Sequence, residues 1–326
     1  MLSVSEARDK LGVVVPIFFD PGVSRETILP ILEGVFRDSS LFCRPGHLLA
    51  VVDQDTIVDE LFSNPPSGSA LLGIPVHRLE KNRAKAGAVN EGLQRLMMES
   101  DASYLVTRDC DGDHILEDIP RMVSLAVDVQ ERTGQGVVSV MGGRPSLEKP
   151  MGWLRQEWEF FTNRVLIDLV SFSLARQNKV IDQRFWNGVT PDIQSGYRVY
   201  SREAAERVVE CLSSLPEDRK VLMLACESVP FTELLIEGGI FAQVQRLTLV
   251  EQPVSSYGQV DFAENYGHLI SFLGVRYKIP NQILLQIVDN ALVSRSIYFT
   301  DFREQLFRFR NRIAPGALPP KLPGFV

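Results

Sequence analysis

The chain has 326 residues, 45% hydrophobic and 23% charged, an ordinary globular composition with enough core for one large domain or two small ones. A net charge of -7 argues against a nucleic-acid-binding protein, and the most apolar run, residues 165–175, contains Asp168 and is too short to span a bilayer. Four scattered cysteines (Cys43, Cys110, Cys211, Cys226) lack metal or redox spacing and no N-terminal signal stretch is evident, so a reducing cytoplasm is the expected setting.

Residues 11–19 form a continuous apolar run of the kind buried in a parallel sheet, ended by Asp20-Pro-Gly. Ser24 and Glu26 then open a helix through Phe36. A second strand over 47–52 ends in Asp53-Gln-Asp55. A helix, an Asn64-Pro-Pro-Ser-Gly loop and a third strand over 74–79 follow. Residues 84–98 read as helix, 104–107 as a short buried strand, 116–132 as helix and 136–141 as strand. Gly142-Gly-Arg-Pro145 breaks the pattern. Trp153, Trp158, Phe161, Val165 and Leu169 then recur at helical spacing, a stripe that fits a core better than a sugar-stacking surface. Asn187-Gly188 is a turn, residues 191–202 enter a strand and helix, and Cys226 to Glu233 begin a helix that ends at Gly238-Gly239. A strand over 244–250 precedes helices from about Phe262, and the tail from Pro315 is Pro-rich and loose. No internal repeat is evident. Alternating strand and helix predict an α/β fold, a mostly parallel sheet flanked by helices, with a helical C-terminal extension. The expected boundaries are 1–255, 256–314 and 315–326.

The chemistry concentrates in Tyr104-Leu-Val-Thr-Arg-Asp-Cys-Asp-Gly-Asp-His114. Asp109, Asp111 and Asp113 alternate at the exit of a strand, so an extended backbone projects all three to one side. Converging carboxylates repel unless a cation sits between them, and hard divalent ions prefer oxygen. Gly112 suits a sharp turn there, whereas His114 and Pro120 stand where an EF-hand needs Gly and Glu. A solvated acidic turn is the plainer reading. Asp20, Asp53 and Asp109 each follow a predicted strand, and parallel sheets bind ligands beyond such ends. Upstream, Lys81, Arg83 and Lys85 crowd a helix N-terminus, where cations are disfavoured unless an anion such as phosphate joins them. Gly87 and Gly92 permit close approach of a ligand or a strand.

These segments resemble metal-dependent glycosyltransferases of the GT-A fold, which is Rossmann-like, and within family 2 the polyprenyl-phosphate mannosyltransferases. Val15-Pro-Ile-Phe-Phe-Asp20 is similar to the family's Pro-x-Tyr-Asn-Glu opening, and Asp53-Gln-Asp55 to its Asp-Asp-x-Ser element. Lys85-Ala-Gly-Ala-Val-Asn-Glu-Gly92 echoes Gly-Lys-x-x-Ala-x-Asn-x-Gly, and Asp109-Cys-Asp111 stands at the Asp-x-Asp position. Asp113 takes the place of a metal-binding Gln, and Asp192-Ile-Gln-Ser-Gly-Tyr-Arg-Val-Tyr-Ser-Arg202 resembles Asp-x-x-Ser-Gly-Phe-Arg-x-Tyr-x-Arg. Together the motifs span roughly residues 12 to 250. Gln54 replaces the second acid of the base-binding element, and Glu227-Ser228 stands where inverting members often carry Glu-Asp.

The resemblance implies transfer of a hexose from a UDP- or GDP-sugar to a hydroxyl or phosphate acceptor, small or lipid-linked. Mn²⁺ or Mg²⁺ would sit on Asp109, Asp111 and Asp113. The nucleotide would meet Pro16, Phe18, Asp20, Asp53, Asp55, Arg83, Lys85, Gly87 and Asp109. Glu227 and Asp192 are the first candidates for catalytic carboxylates, with Glu233 a third. A sugar-phosphate nucleotidyltransferase is the rival enzyme, although Phe19-Asp-Pro-Gly22 is not its Gly-rich loop, and a catalytically silent nucleotide- or sugar-binding protein is a further alternative. Finally, Phe302, Leu306, Phe309 and Ile313 alternate with Arg303, Arg308, Arg310 and Arg312. Such a basic amphipathic helix suits either a peripheral membrane contact or, the favoured reading, packing on the protein's own core or on a second subunit of a homodimer.

Overall fold

A computed structural model of the chain describes residues 4–145, 152–185, 190–247, 261–292 and 303–316. The Asn187-Gly188 turn, the end of the strand expected over 244–250, most of the Pro-rich tail and Phe302 lie outside the described residues. In order, the chain forms α1 (Val4–Lys10), β1 (Leu11–Ile17), α2 (Arg25–Phe36), α3 (Ser39–Phe42), β2 (Leu48–Val52), α4 (Thr56–Ser63) and β3 (Val76–Arg78). Next come α5 (Ala84–Glu99), β4 (Tyr104–Thr107), a 3-10 turn (Leu116–Asp118), α6 (Ile119–Thr133), β5 (Val138–Gly143) and α7 (Trp153–Ala175). The rest is β6 (Arg198–Ser201), α8 (Arg202–Ser213), α9 (Arg219–Ile236), β7 (Ile240–Gln245), α10 (Phe262–Arg276), α11 (Asn281–Leu292) and α12 (Arg303–Ile313).

Among the described residues the strands make one seven-stranded sheet in the order β3-β2-β1-β4-β6-β5-β7. All pairings are parallel except those of β6, which runs against both β4 and β5. The α/β fold with a mostly parallel sheet is therefore as expected. The uninterrupted apolar runs of β1 and β2 are buried along their whole length because helices cover both faces. Pro16 sits inside β1 without breaking it. The β4 partners end at Val14↔Thr107, so its missing N–H falls where no ladder bond is needed.

Each face of the sheet carries its own core. One contains Val13, Val15 and Ile17 of β1 with the apolar sides of α2, α4 and α6. The other contains Val14, Leu105 and Val51 with α5 and α7 to α12. Gly92 brings α5 onto the strands, since a Cβ there would lie 2.4 Å from Val14. The stripe on α7 is core, as read: Trp158 is fully buried among Phe161, Phe262, Tyr266 and Phe309, and only Trp153 at the first turn is exposed. Leu306, Phe309 and Ile313 of α12 join that core, so this apolar side packs on the protein's own interior.

The short helices α1 and α3 were not expected, β5 runs on through Gly142 and Gly143, and two expected elements start elsewhere. The helix expected from Cys226 begins at Arg219, capped by the Asp218 carboxylate, and carries Pro230 in its interior. The helix continues through Pro230, and its earlier start puts Glu227 at mid-helix. The last strand starts at Ile240, four positions early, because Gly238 with φ +91° turns the chain straight from α9 into a register with β5.

Candidate functional site

Strands β2, β1 and β4 are neighbours and parallel, so Asp53, the Phe18–Asp20 turn and Asp109 leave the sheet on one rim. Because β6 is antiparallel, the segment before it, Asp192 to Tyr197, reaches the same rim. Thr107 Oγ1 donates to the Gly196 carbonyl at 3.1 Å and Ser195 Oγ to the Gly142 carbonyl at 2.7 Å, fixing that segment to β4 and β5.

The centre of the rim is an ion cluster. Lys85 Nζ lies 2.6 Å from Asp109 Oδ1, 2.8 Å from Asp109 Oδ2 and 2.6 Å from Glu227 Oε1. Lysine from the start of α5, aspartate from the end of β4 and glutamate from the middle of α9 thus converge. Gly196 covers them: a Cβ there would lie 2.5 Å from both Asp109 Oδ2 and Lys85 Nζ. Burial pushes the Asp109 carboxyl up, but Lys85 and His114 together outweigh it and hold the group below the usual range.

Asp111 and Asp113 divide. Gly112, with φ +88°, turns the chain between them, and the Asp113 N–H faces Asp111 Oδ1 at 3.4 Å. Burial, then the charges of Asp113 and Asp109, drive the Asp111 carboxyl well above its ordinary value. Asp113 is instead paired: Arg246 donates to its carbonyl at 3.1 Å and lies 3.3 Å from Oδ2. His114 is buried, accepts the Asp109 N–H on Nδ1 at 2.8 Å and presents Nε2 3.3 Å from Asp113 Oδ1. That geometry puts its proton on Nε2, and burial lowers its pKa to about 4. Its ring stacks on Tyr197 at 4.6 Å between centroids.

Among the described residues no three His, Cys, Asp or Glu side chains form a ready-made metal cage. Asp109 and Asp111 are nonetheless two hard oxygen donors whose charges repel, and Gly196 leaves room beside Asp109. They fit a divalent cation completed by a ligand's own phosphate oxygens, the usual way Mg²⁺ is held.

Most of the other predicted polar residues have structural partners. Asp53 is buried and accepts the Arg83 N–H at 2.7 Å, so it caps the start of α5; burial raises its pKa against that hydrogen bond. Asp55 caps α4 through the Ile57 and Val58 N–H groups and ties the first loop by accepting the Phe19 N–H at 3.0 Å. Asp20 and Phe18 are exposed on the rim, and Pro16 is buried in β1. Arg83 pairs with Glu91, and Gly87 gives it room, since a Cβ there would lie 2.4 Å from Arg83 Cβ. Lys81 pairs with Glu217 at 3.1 Å. The basic helix start therefore holds carboxylates of the protein itself.

Asp192 is drawn into a separate buried cluster. It accepts from the Arg144 N–H at 3.0 Å and from Arg144 Nε at 2.7 Å, and Arg144 Nη2 also reaches Glu159 at 2.6 Å. Burial raises the Asp192 carboxyl, but Arg144 outweighs it and the net direction is down. Glu233 pairs with Arg276 of α10. Of the three candidate carboxylates, only Glu227 meets Lys85. Arg144, Arg246 and His114 were not singled out as site residues. Arg246 stands 133 positions from Asp113, and no local pattern marks it.

No model of a known protein family matches the sequence, and no curated protein matches it. Solved structures do. A CMP:2-keto-3-deoxy-manno-octonic acid synthetase complexed with CTP is 13% identical over 75% of this chain and 94% of its own, with a TM-score of 0.39. A 4-diphosphocytidyl-2C-methyl-D-erythritol synthase is 13% identical over 79% of this chain and 97% of its own, with a TM-score of 0.40. The bifunctional IspDF of Campylobacter jejuni is 7% identical over 73% of this chain and 50% of its own, with a TM-score of 0.39. These similarities are too distant to assign an activity.

Proposed function

We propose that this protein is a metal-dependent enzyme of nucleotide-sugar chemistry, and that it transfers a hexose from a nucleoside-diphosphate sugar to a hydroxyl or phosphate acceptor. The observation that carries this reading is the meeting of Lys85, Asp109 and Glu227 beside Asp111 at the carboxyl rim of the sheet. Asp109 and Asp111 are the residues that would hold Mn²⁺ or Mg²⁺, which when bound supplies positive charge to a departing diphosphate. Lys85, at the start of α5, binds diphosphate oxygens, aided by the helix N-terminus; Arg83 is the second candidate. Asp53 and Gln54 border the place for the base and ribose. Glu227 takes the proton of an acceptor hydroxyl; a phosphate acceptor needs no such base. Asp192 serves as the buried anion that fixes Arg144.

Sugar-phosphate nucleotidyl transfer is the competing reading, and a CTP-bound synthetase stands among the distant structural neighbours. The two differ in what leaves: a nucleoside diphosphate in the first case, pyrophosphate in the second. The test screens nucleotide sugars and nucleoside triphosphates by thermal shift with and without Mn²⁺, then identifies the released product by mass spectrometry. A nucleoside diphosphate should raise Tm only with the cation present, since binding to the native state stabilises it. Equal stabilisation in excess chelator overturns the metal-bridged reading, and pyrophosphate release replaces glycosyl transfer by its rival.

A further inference from the structure

Lys85 occupies a position with two incompatible merits. Its single charge bridges Asp109 and the nearly fully buried Glu227, at 2.6 Å from each. A carboxylate so enclosed is costly without a partner, so the lysine stabilises the acids while no ligand is bound. It is also the second residue of α5, where the helix dipole disfavours a cation and favours an anion. Asp111, close by, carries a carboxyl crowded by Asp113 and Asp109. The lysine therefore sits where a divalent cation and a phosphate would each gain from its moving.

We propose that Lys85 is an internal counter-ion: it fills the carboxylate cluster in the ligand-free protein and swings onto the diphosphate when cation and nucleotide enter together. The inference rests on the reading of Asp109 and Asp111 as cation ligands. A lysine suits this exchange because its ammonium is a compact charge on a flexible stem, whereas a planar guanidinium would be fixed by its fork. Gly196 keeps space above the pair, for a Cβ there would press on both Nζ and Asp109 Oδ2. The cation alone must compete with the ammonium for Asp109. A cation arriving with a diphosphate gives the ammonium a new partner. The two ligands are then coupled, and each must strengthen the other by the same factor.

The test is Mn²⁺ binding, read by electron paramagnetic resonance and calorimetry, to the native protein and to Lys85→Met, with and without GDP, UDP or CDP. In the native protein the right nucleotide should tighten Mn²⁺ by at least about tenfold, within the range of ordinary coupling. In Lys85→Met, Mn²⁺ alone should bind more tightly than to the native protein, and the nucleotide should add much less. Because Lys85→Met leaves Glu227 without its partner, Lys85→Met/Glu227→Gln is compared with Glu227→Gln in parallel. The same tightening is expected there, with circular dichroism confirming the fold. Mn²⁺ binding no tighter without the lysine, in either background, overturns the counter-ion. If the native protein binds no Mn²⁺ with any of the three nucleotides, the metal reading itself falls and takes the inference with it.

Discussion

Asp111→Asn isolates the acid whose ionised form burial and the charges of Asp113 and Asp109 oppose. It keeps the volume and removes a carboxylate that burial and two neighbours oppose, so the apoprotein should gain stability on the order of 1 kcal/mol. Transfer should fall by more than about a hundredfold, because the charge stabilisation a cation supplies amounts to several kcal/mol. Near-native turnover would sink the ligand role, and unfolding would make the acid structural. Gly196→Ala tests the cover of the cluster. An added methyl must displace Lys85 or Asp109 at 2.5 Å, an overpacking cost of about 1–3 kcal/mol. The nucleotide-and-Mn²⁺ shift in Tm should shrink with it, whereas an unchanged shift would leave Gly196 outside the site. At this scale the sequence marked the acids and Lys85, because alternation after a strand and charge at a helix start are local signals. It did not mark Arg144 or Arg246, whose partners lie 48 and 133 positions away.

A charge cluster rims the apolar junction of α9 with α10 and α12. Glu264 accepts from Lys220, lies 3.0 Å from His268, and His268 in turn stands by Asp218 and Arg312. The hydrogen bond from Lys220, then that of His268, lowers the Glu264 pKa from 4.5 to about 2. A lowered carboxyl stabilises the fold above its unfolded pKa, so this contribution is complete above about pH 4.5 and is lost as pH falls through about 2. The side chain is more than a third exposed, and solvent screening keeps the effect below about 1 kcal/mol. Melting of native and Glu264→Gln protein should therefore differ slightly at pH 6 and converge near pH 2; a gap that persists to pH 2 would assign the loss to something other than this charge. Most elements were legible from apolar runs and caps. The start of α9 was not, since its cap Asp218 stands eight positions (226 − 218) before Cys226, the first residue of the expected run, and β7 was set by its pairing with β5 rather than by its own half-exposed residues.

For the whole molecule, the shared core means that the last three helices are not an appendage. Phe309 is fully buried against Trp158 and Phe161, so Phe309→Ala should cost about 3–5 kcal/mol, read by denaturant unfolding. A chain ending after Thr300 should lose still more and expose the α7 aromatics. A truncated chain as stable as the full one would show that α12 does not share this core. Vesicle flotation of the full chain then asks whether the remaining arginines of α12 still give a membrane contact once its apolar side is occupied. The alternation of strand and helix made the parallel sheet legible, but nothing local says that β6 runs backwards, because strand direction is decided by the partner.

That reversed strand also governs the order in which the molecule can be completed during synthesis. Among the described residues β5 pairs with β6 and β7, both of which lie later in the chain. It leaves the ribosome as an orphan, with α6 the earlier-made element against which it packs. From Gly143 to Ser201 is 58 residues (201 − 143), or about 3–12 s of translation at ordinary rates. For that interval a buried, valine-bearing strand has an open edge on each side, the condition under which nascent chains pair with the wrong neighbour. Slowing translation between these two strands should therefore lower soluble yield more than an equal pause placed after β7.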